Sequence, residues 1–534
     1  MTDAIVVGAG PNGLVAANVL ADAGWDVLVL EEQAEPGGAV RSYDGPAPGF
    51  VGDSCSAFYP LAVASPVMQA LRLTDYGLKW VHAPSVLAHP MLDGTCAVLH
   101  RDVERTAAGL DKLAVGDGDA WRRLYTEWEQ LGDALMQALF TPFPPIRAGA
   151  RLTRRLGAAG LLRFARRSLL PVRRLAKEEF AGVGASLLLA GSALHADLSP
   201  ESAGSATFGW LLAMAGQQFG FPVPEGGARG LTDALVRRLA TRGGRLECNA
   251  GVGEIVVRNG RAVGVRTRDG REFGARRAVL ADVDAPQLYG GLVGWEHLPS
   301  RLRADMKRFE WDFGTFKVDW ALDQPVPWIA PDAAQAGTVH VAADLDELST
   351  FAVQLSAGYI PANPFLLVGQ MTTADPMRSP AGTESLWAYT HVPRDVQGDA
   401  GDDLDGRWDL SQQEAFVERI EDQMERFAPG FLGSIVARTI SAPPTIHAHD
   451  ANLVDGALNG GTTAIHQQLV FRPTPGLGRP ETPITGLYLA SASAHPGGGV
   501  HGACGSNAAR AAIRAYRVRL QSAGAWAARK AIGS

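Results

Sequence analysis

The chain has 534 residues, which corresponds to about two to four domain equivalents and leaves ample material for a sizeable core. Hydrophobic residues make up 46% and charged residues 20%, an ordinary balance for globular proteins that excludes a chain dominated by disorder. Acidic residues number 56 against 49 basic ones, and the net charge of -7 argues against nucleic acid as a partner.

Cysteine usage and the lengths of the apolar runs indicate an intracellular protein. The four cysteines are far apart and form no CxxC pair, so neither a redox dithiol nor a zinc clip is expected. The first predicted strand begins near residue 4, and we therefore expect no leader peptide. The longest apolar runs, such as 185–194, fall short of the roughly 20 residues of a membrane-spanning helix. We expect a cytoplasmic protein.

The beginning of the chain predicts a β-α-β unit. An apolar run over 4–7 indicates a buried strand, a helix is expected over 14–23, and a second strand over 25–30. The turn between the first strand and the helix contains Gly8, Gly10, Pro11, Asn12 and Gly13. In such a GxGxxG turn the first glycine allows a tight turn, the second lets the backbone approach a diphosphate, and the third lets helix and strand pack closely. The helix N-terminus then favours the anion.

The residues after the second strand extend this prediction to a dinucleotide site. Glu31 lies where a carboxylate can accept hydrogen bonds from ribose hydroxyls and repel a 2'-phosphate. The paired glycines Gly37 and Gly38, followed by Arg41, can place further N–H groups and a cation along an extended diphosphate. A plain glycine-rich turn is the alternative for the GxGxxG segment alone, but the whole β-α-β-acid pattern favours nucleotide binding.

These residues resemble a group of FAD oxidoreductases that includes phytoene desaturases, retinol saturase, amine oxidases and the Rab escort and GDI proteins. In that group the second strand ends in an acid and is followed by a GG turn and an arginine. The resemblance implies FAD as a non-covalent cofactor, with Gly37, Gly38 and Arg41 lining the diphosphate and the flavin entrance. It also implies an α/β fold with a Rossmann-type FAD-binding domain of the glutathione reductase and amine oxidase type.

The far end of the chain adds a second glycine-rich turn between a strand over 486–491 and a helix starting near Ser506. Its sequence, HPGGGVHGA over 495–503, resembles the C-terminal FAD motif of the phytoene desaturase branch and of bacterial phytoene-dehydrogenase-like proteins. The resemblance implies that Gly498, Gly499 and Val500 contact the flavin. A helix N-terminus there can stabilise negative charge on the reduced ring. A surface loop capped by glycines is the alternative.

A central block, PEGGARGL over 224–231, opens a predicted helix that runs to about Arg242. Strands are expected after it near 245–257, 261–268 and 276–281. The resemblance implies that Val252 touches the adenine. It also implies that Ser56, in the segment that leads to Phe58 and Tyr59, lies near the flavin ring.

The predicted architecture is a discontinuous FAD-binding domain with an α+β substrate-binding domain inserted into it. We expect the FAD-binding domain to comprise residues 1–75, 223–290 and 480–534. The substrate-binding domain is expected to comprise residues 76–222 and 291–479.

A basic segment lies within the first insertion. Residues 146–177 carry nine arginines and one lysine but no acid, and the leucine spacing predicts one or two basic amphipathic helices. Such helices can rest on anionic lipid headgroups, which would make the protein peripherally membrane-associated. A solvated basic face or a homo-oligomer contact is the alternative, and it is favoured.

Several other residues are candidates for chemistry in the site. The proposed acid-base residues are His466, His495 and His501, each of which could instead have a structural hydrogen-bonding role. His447, His449 and Asp450 indicate a solvated loop, and no metal is expected.

An aromatic stripe marks a probable strand in the second insertion. Phe316, Val318, Trp320 and Leu322 alternate along it and could line a substrate tunnel, although core packing is the better interpretation. Lys317 would point to the opposite side, and we assign it no role in the site because its neighbours do not match the lysine motif of amine oxidases.

Together these features predict an FAD-dependent oxidoreductase. We expect hydride transfer from a small apolar substrate, such as a polyene or isoprenoid, to flavin N5, with formation of a carbon-carbon double bond. A saturase running in reverse is equally compatible, and oxygen or a quinone would accept the electrons. An amine oxidase acting on C–N bonds is the alternative enzyme, and a non-catalytic GDI-like binding protein is the alternative from another class.

Overall fold

The computed structural model describes residues 1–401 and 403–532, with the side chains of 522–532 left aside, so Asp402 and the last two residues of the predicted segment 480–534 lie outside the described residues. The strands, numbered in chain order, are β1 Thr2–Val7, β2 Val27–Leu30, β3 Ser42–Asp44, β4 Val51–Asp53, β5 Trp80–Val81, β6 Ser85–Pro90, β7 Cys96–Leu99, β8 Val223–Pro224, β9 Arg245–Glu247, β10 Val252–Arg258, β11 Arg261–Thr267, β12 Glu272–Ala281, β13 Gly314–Leu322, β14 Ala336–Val341, β15 Tyr359–Ile360, β16 Leu366–Gln370, β17 Glu384–Val392, β18 Gly398–Asp399, β19 Ile435–Ser441 and β20 Leu487–Leu489. The helices are α1 Pro11–Asp22, α2 Pro60–Ala64, α3 Pro66–Leu71, α4 Val103–Leu113, α5 Asp117–Phe140, α6 Ile146–Leu169, α7 Val172–Glu179, α8 Gly184–Leu194, α9 Ser205–Phe219, α10 Arg229–Thr241, α11 Ala285–Gln287, α12 Ser300–Met306, α13 Leu345–Ser356, α14 Met371–Ala374, α15 Leu410–Phe427, α16 Phe431–Ser434, α17 Pro443–His449 and α18 Ala503–Ile532.

The first large sheet joins the two ends of the chain to its middle. Five parallel strands lie in the order β9-β2-β1-β12-β20, and the antiparallel strands β11 and β10 continue from β12. Every residue of β1 is buried, as expected for a central parallel strand that is covered on both faces. The division into domains at the predicted boundaries stays a prediction.

Two details of this sheet and its helices differ from the predictions. The single strand expected over 245–257 is two strands, β9 and β10, because Asn249 adopts a left-handed conformation with φ of 53° between them. Helix α1 begins at Pro11 rather than at residue 14, since proline suits the first helical position, and α18 begins at Ala503 rather than near Ser506.

The second large sheet has the strand order β19-β13-β17-β16-β14-β6-β7. Its outer face carries Phe316, Val318 and Trp320, which are buried in one core with residues of α15. The aromatic stripe therefore packs a core, as the sequence favoured. Lys317 lies on the opposite, inner face, and α8 and α9 cover the β6 and β7 part of the sheet.

The basic segment forms α6 and α7, with a non-helical residue at Gly157 inside α6. Several of its arginines pair with acids that lie outside 146–177: Arg166 contacts Glu178 at 2.6 Å and Arg167 pairs with Glu127. Part of the concentrated positive charge is thus neutralised within the protein. Within the part of the chain that the structure describes, no helix is both long enough and apolar enough to cross a bilayer.

Candidate active site

The two glycine-rich turns at the ends of the chain meet in space. A Cβ atom at Gly505 would lie 2.7 Å from the carbonyl carbon of Asn12 and closer still to its oxygen, so the first turn of α18 packs directly against that of α1. Within the GxGxxG turn, a Cβ at Gly13 would collide with the carbonyl oxygen of Gly8. Glycine is therefore required for both close approaches.

Glu31 closes the end of β2 beside the GxGxxG turn. Its carboxylate accepts hydrogen bonds from the N–H of Ala9 at 2.7 Å and of Gln33 at 2.9 Å. Each carboxylate oxygen can accept a further hydrogen bond, which leaves room for ribose hydroxyls. The N–H of Ala250 donates to the carbonyl of Glu31 at 2.8 Å, so β10 begins at Val252 close to this acid. The acid and the predicted adenine contact thus lie at one edge of the sheet.

The GG turn lies over the same edge. The N–H of Gly37 donates to the carbonyl of Ala9 at 2.9 Å, and a Cβ at Gly38 would lie 3.3 Å from the Cα of Gly10. The guanidinium of Arg41 donates from Nε to the carbonyl of Gly38 at 2.9 Å. The predicted diphosphate residues are therefore gathered in one place.

Arg41 also reaches helix α17, where its guanidinium donates to the carbonyl of His449 at 2.5 Å. The loop expected around His447 and His449 is instead the last turn of this helix, in which His449 is exposed and His447 is half-buried. Burial raises the pKa of the following carboxyl, Asp450.

Asp282 is the residue of this region that the sequence analysis missed. It follows β12, is buried, and accepts a hydrogen bond from the N–H of Gly13 at 2.7 Å. Burial raises its pKa to about 8, so that it is protonated at neutral pH despite the hydrogen bond. A neutral carboxyl at this position avoids placing a negative charge beside a bound diphosphate. Its location after a buried parallel strand was the only signal for it in the sequence.

A buried arginine, Arg472, stabilises the backbone around the C-terminal turn. Arg472 donates hydrogen bonds to the carbonyl oxygens of Asn459 at 2.6 Å, Thr462 at 2.9 Å and Ala492 at 2.8 Å. Its guanidinium also lies next to Gly497, where a Cβ would come within 3.2 Å. The predicted flavin residues Gly498, Gly499 and Val500 follow directly in the same turn, and Gly499 has a φ of 96°.

The predicted acid-base histidines take different positions. His501 accepts at Nδ1 from the N–H of Ala503 at 3.0 Å, and His495 contacts the carbonyl of Thr141 at 3.1 Å. Burial lowers the pKa of both imidazoles to about 4, and both have hydrogen bonds that fix the turn and the start of α18. His466, in contrast, is exposed and contacts Glu310 at 2.7 Å, so the structure does not bring its side chain into the buried group.

Comparison with known proteins identifies the family. Residues 12–304, more than half of the chain, match the family described as flavin containing amine oxidoreductase. The chain belongs to this family. Pyridine nucleotide-disulfide oxidoreductase domain-containing protein 2 of Mus musculus is 28% identical, covering 96% of this chain and 93% of that protein. Phytoene desaturase (lycopene-forming) of Pseudescherichia vulneris is 26% identical, covering 96% and 99%.

The fold has a close counterpart among solved structures. An oxidoreductase from Methanosarcina mazei superposes with a TM-score of 0.62 at 17% identity, covering 96% of this chain and 99% of that one. The predicted α/β Rossmann-type fold, the resemblance to phytoene desaturase-like oxidoreductases and FAD as the cofactor are all confirmed.

The residues of this flavin family member fit FAD. Gly10, the cap residue of α1, has no side chain, and the N–H of Gly13 already donates to Asp282, so the N–H groups of Gly10 and Asn12 remain for a diphosphate. The side-chain oxygen of Asn12 is buried and has no hydrogen-bond partner. Gly8, Gly10 and Gly13 leave backbone without side chains around this point. An anion at this point would accept hydrogen bonds from the free N–H groups of the turn.

The inner face of the second sheet lies next to the segment that the resemblance assigns to the flavin ring. Ser56 belongs to this segment and is anchored to the GG turn, its N–H donating to the carbonyl of Ala39 at 3.0 Å. Phe58 contacts Trp387 with ring centroids 6.0 Å apart, and Trp387 stacks on Tyr389 at 5.9 Å. An aromatic row therefore extends from the flavin segment along β17.

Lys317 lies on the same inner face and is fully engaged within the protein. Its ammonium donates to the carbonyl of Asp53 at 3.0 Å and pairs with Asp319, and both side chains are buried. The sequence analysis gave Lys317 no role in the site, whereas the structure places it within reach of the segment before Ser56. Its charge is already balanced by its neighbour.

We expect Glu31→Gln to weaken FAD binding by about tenfold to a hundredfold, because one of its two backbone N–H partners would face an amide N–H instead of an oxygen. Titration of apoprotein with FAD, followed by flavin fluorescence, measures the change. Glu32→Gln is the matched control, since the neighbouring Glu32 is exposed and pairs with Arg268. If the two variants bound FAD with equal affinity, Glu31 would have no role in binding the ribose.

Proposed function

We propose that this flavoprotein is a dehydrogenase that introduces a carbon-carbon double bond into an apolar substrate of the polyene or isoprenoid class. FAD, when bound, supplies the acceptor for a hydride from a substrate carbon. The proposal is supported by the whole-length likeness to a phytoene desaturase, which covers 96% of this chain.

The observation that carries the proposal is the aromatic row of Phe58, Trp387 and Tyr389 beside the flavin segment. Flat aromatic faces bind an extended apolar chain through area and shape, without a charged partner. Burial raises the pKa of Tyr389, so its hydroxyl stays protonated and neutral. A permanently charged substrate would need an unbalanced opposite charge in this region.

The nearest candidate for such a charge is already neutralised. Lys317 pairs with Asp319, and burying either ion without its partner would cost several kcal/mol. The protein's own residues would therefore bind the substrate by apolar contact, orient it against the flavin segment and exclude water.

Anaerobic titration of the purified holoprotein tests the proposal. We expect the oxidised flavin absorption to bleach on addition of polyenes or isoprenoids and to remain on addition of aliphatic amines. Bleaching by amines alone would instead indicate C–N oxidation, and would overturn the proposal. Oxidation of the pre-reduced protein by a polyene would indicate the reverse, saturating direction.

Reoxidation of the reduced holoprotein identifies the electron acceptor, for which we propose oxygen or a quinone. Mixing with aerated buffer and, separately, with an anaerobic soluble quinone gives two rates. The faster reaction at equal acceptor concentration identifies the acceptor class.

A further inference from the structure

A group of imidazoles and one carboxyl lies between the inner face of the second sheet and the end of α8. Its members are His89 on β6, His195 and Asp197 after α8, His340 on β14 and His391 on β17. His89, His340 and His391 are buried, and the side chain of Asp197 is 5% exposed. The FAD-binding residues described above do not include any of them.

Two close contacts organise this group. Nε2 of His195 and Nε2 of His340 are 2.8 Å apart, a distance at which one ring donates and the other accepts, so a single proton lies between them. Nε2 of His391 lies 3.1 Å from Oδ1 of Asp197, but the two atoms are not aligned for a hydrogen bond. The ring of His391 also lies beside the carbonyl of Leu194, the residue that precedes His195, and the two pairs therefore adjoin.

Purely structural packing explains these residues poorly. Nδ1 of His340, both ring nitrogens of His391 and Oδ1 of Asp197 are buried without a hydrogen-bond partner, and such a group costs on the order of 1–3 kcal/mol. The ring of His340 packs directly against Gly191 of α8, where a Cβ would lie 2.6 Å from Cε1 of His340 and closer still to Nδ1. Only glycine leaves room for the ring at this position.

The group adjoins the C-terminal turn and the aromatic row. Nδ2 of Asn459 reaches Oδ2 of Asp197 at 3.4 Å, and the same asparagine lies against Gly498 of the C-terminal turn, where a Cβ would be 2.8 Å from its Cα. On the other side, the ring of His391 is 5.6 Å from that of Tyr389, the last member of the aromatic row. His391 thus lies next to the aromatic row, and Asp197 and Asn459 connect it to the C-terminal turn.

The resting group is electrically neutral. Burial lowers the pKa of His391 to about 4 and that of His195 to about 3, and burial next to Asp312 raises the pKa of Asp197. Two further ionisable groups face them: Tyr389, which is neutral, and Asp312, whose pKa is also raised by burial. Neutral imidazoles each have one donor and one acceptor nitrogen and can therefore pass a proton along.

We propose that His391, which lies next to Asp197, accepts the proton released in the reaction, and that the adjoining His195–His340 pair conducts it away from the site. This inference rests on the proposed dehydrogenation. One substrate C–H bond breaks with its electron pair leaving as hydride to the cofactor. The neighbouring C–H bond then breaks, its electrons form the double bond, and its proton moves to a ring nitrogen of His391. Among the described residues no three His, Cys, Asp or Glu side chains form a metal site.

Infrared difference spectroscopy on anaerobic photoreduction of the holoprotein tests the relay without any substrate. The wild type should show bands of a protonated carboxyl and of imidazole that shift in D2O, because added charge on the flavin changes proton occupancy in the group. Asp197→Asn should remove the carboxyl band and His391→Gln the imidazole band. Asparagine suits the left-handed backbone of Asp197, whose φ is 58°. Unchanged spectra in both variants would overturn the proposal.

Two further variants separate proton conduction from packing. Gly191→Ala displaces the ring of His340 without removing a titratable group. His100→Gln is the control: His100 is half-buried, contacts Ser85 and does not belong to the group. With a substrate that bleaches the flavin, His391→Gln should slow bleaching about a hundredfold and abolish its dependence on pH. Gly191→Ala should slow bleaching less than His391→Gln does, and His100→Gln should leave the bleaching rate unchanged. If no hydrocarbon bleaches the wild type, the proposed function fails and the infrared result alone decides the relay.

Discussion

Gly505→Ala is expected to give a protein that no longer retains FAD. The added Cβ would lie 2.7 Å from the carbonyl carbon of Asn12 and closer still to its oxygen. Both are backbone atoms, so no side-chain rearrangement can relieve the collision, and α18 must move away from α1. That movement opens the junction of the two glycine turns. We expect a loss of on the order of 3 kcal/mol or more in the free energy of unfolding.

Flavin absorbance per protein and the thermal midpoint with and without added FAD measure this effect. Gly109→Ala is the matched control, because Gly109 also lies inside a helix, α4, and a Cβ there meets nothing within 4 Å. Alanine should stabilise that helix by up to about 1 kcal/mol. A yellow Gly505→Ala protein with the wild-type midpoint would contradict the contact between the two turns.

The contrast between Gly13 and Asp282 shows what the sequence could predict. Gly13 was recognisable because strand, turn and helix follow one another locally, and each local pattern indicates the same structure. Asp282 is not part of any such local pattern, because it contacts Gly13 across 269 residues of sequence. Only folding of the discontinuous sheet, with β12 next to β1, brings the two together.

The same limit applies to the residues on the inner face of the second sheet. Two-residue alternation correctly predicted that Lys317 and Phe316 point to opposite sides, and that Phe316 packs a core. Alternation could not show that His391 meets Asp197, because one lies on β17 and the other after α8. His466, one of the proposed acid-base residues, is exposed and pairs with Glu310. Polar pairs formed across long sequence separations leave no periodic signal.

Asp282→Asn is expected to change the pH dependence of both stability and FAD retention. The pKa of Asp282 rises from 3.8 to about 8 on folding, so the folded protein binds a proton more tightly than the unfolded chain between these values. The free energy of unfolding therefore falls as the pH rises through this range, and the contribution is fully present below pH 3.8 and lost above about pH 8. Asparagine keeps the acceptor for the N–H of Gly13 and cannot ionise.

We expect the variant to lose this decline and, above about pH 8, to be more stable than the wild type by a few kcal/mol. Above the same pH the wild type should release FAD, because ionised Asp282 repels the diphosphate beside Glu31 and Asp450, whereas the variant should retain it. Thermal midpoints and free-flavin fluorescence across pH measure both effects.

Asp284→Asn separates this effect from general loss of a carboxyl. Asp284 lies two residues further on and caps α11, its pKa rises only to about 6, and asparagine caps equally well. Its replacement should alter the profile between pH 3.8 and about pH 6 and leave the alkaline release of FAD as in the wild type. Parallel profiles for Asp282→Asn and the wild type would mean that Asp282 is ionised throughout, and that the turn binds its diphosphate against a buried negative charge.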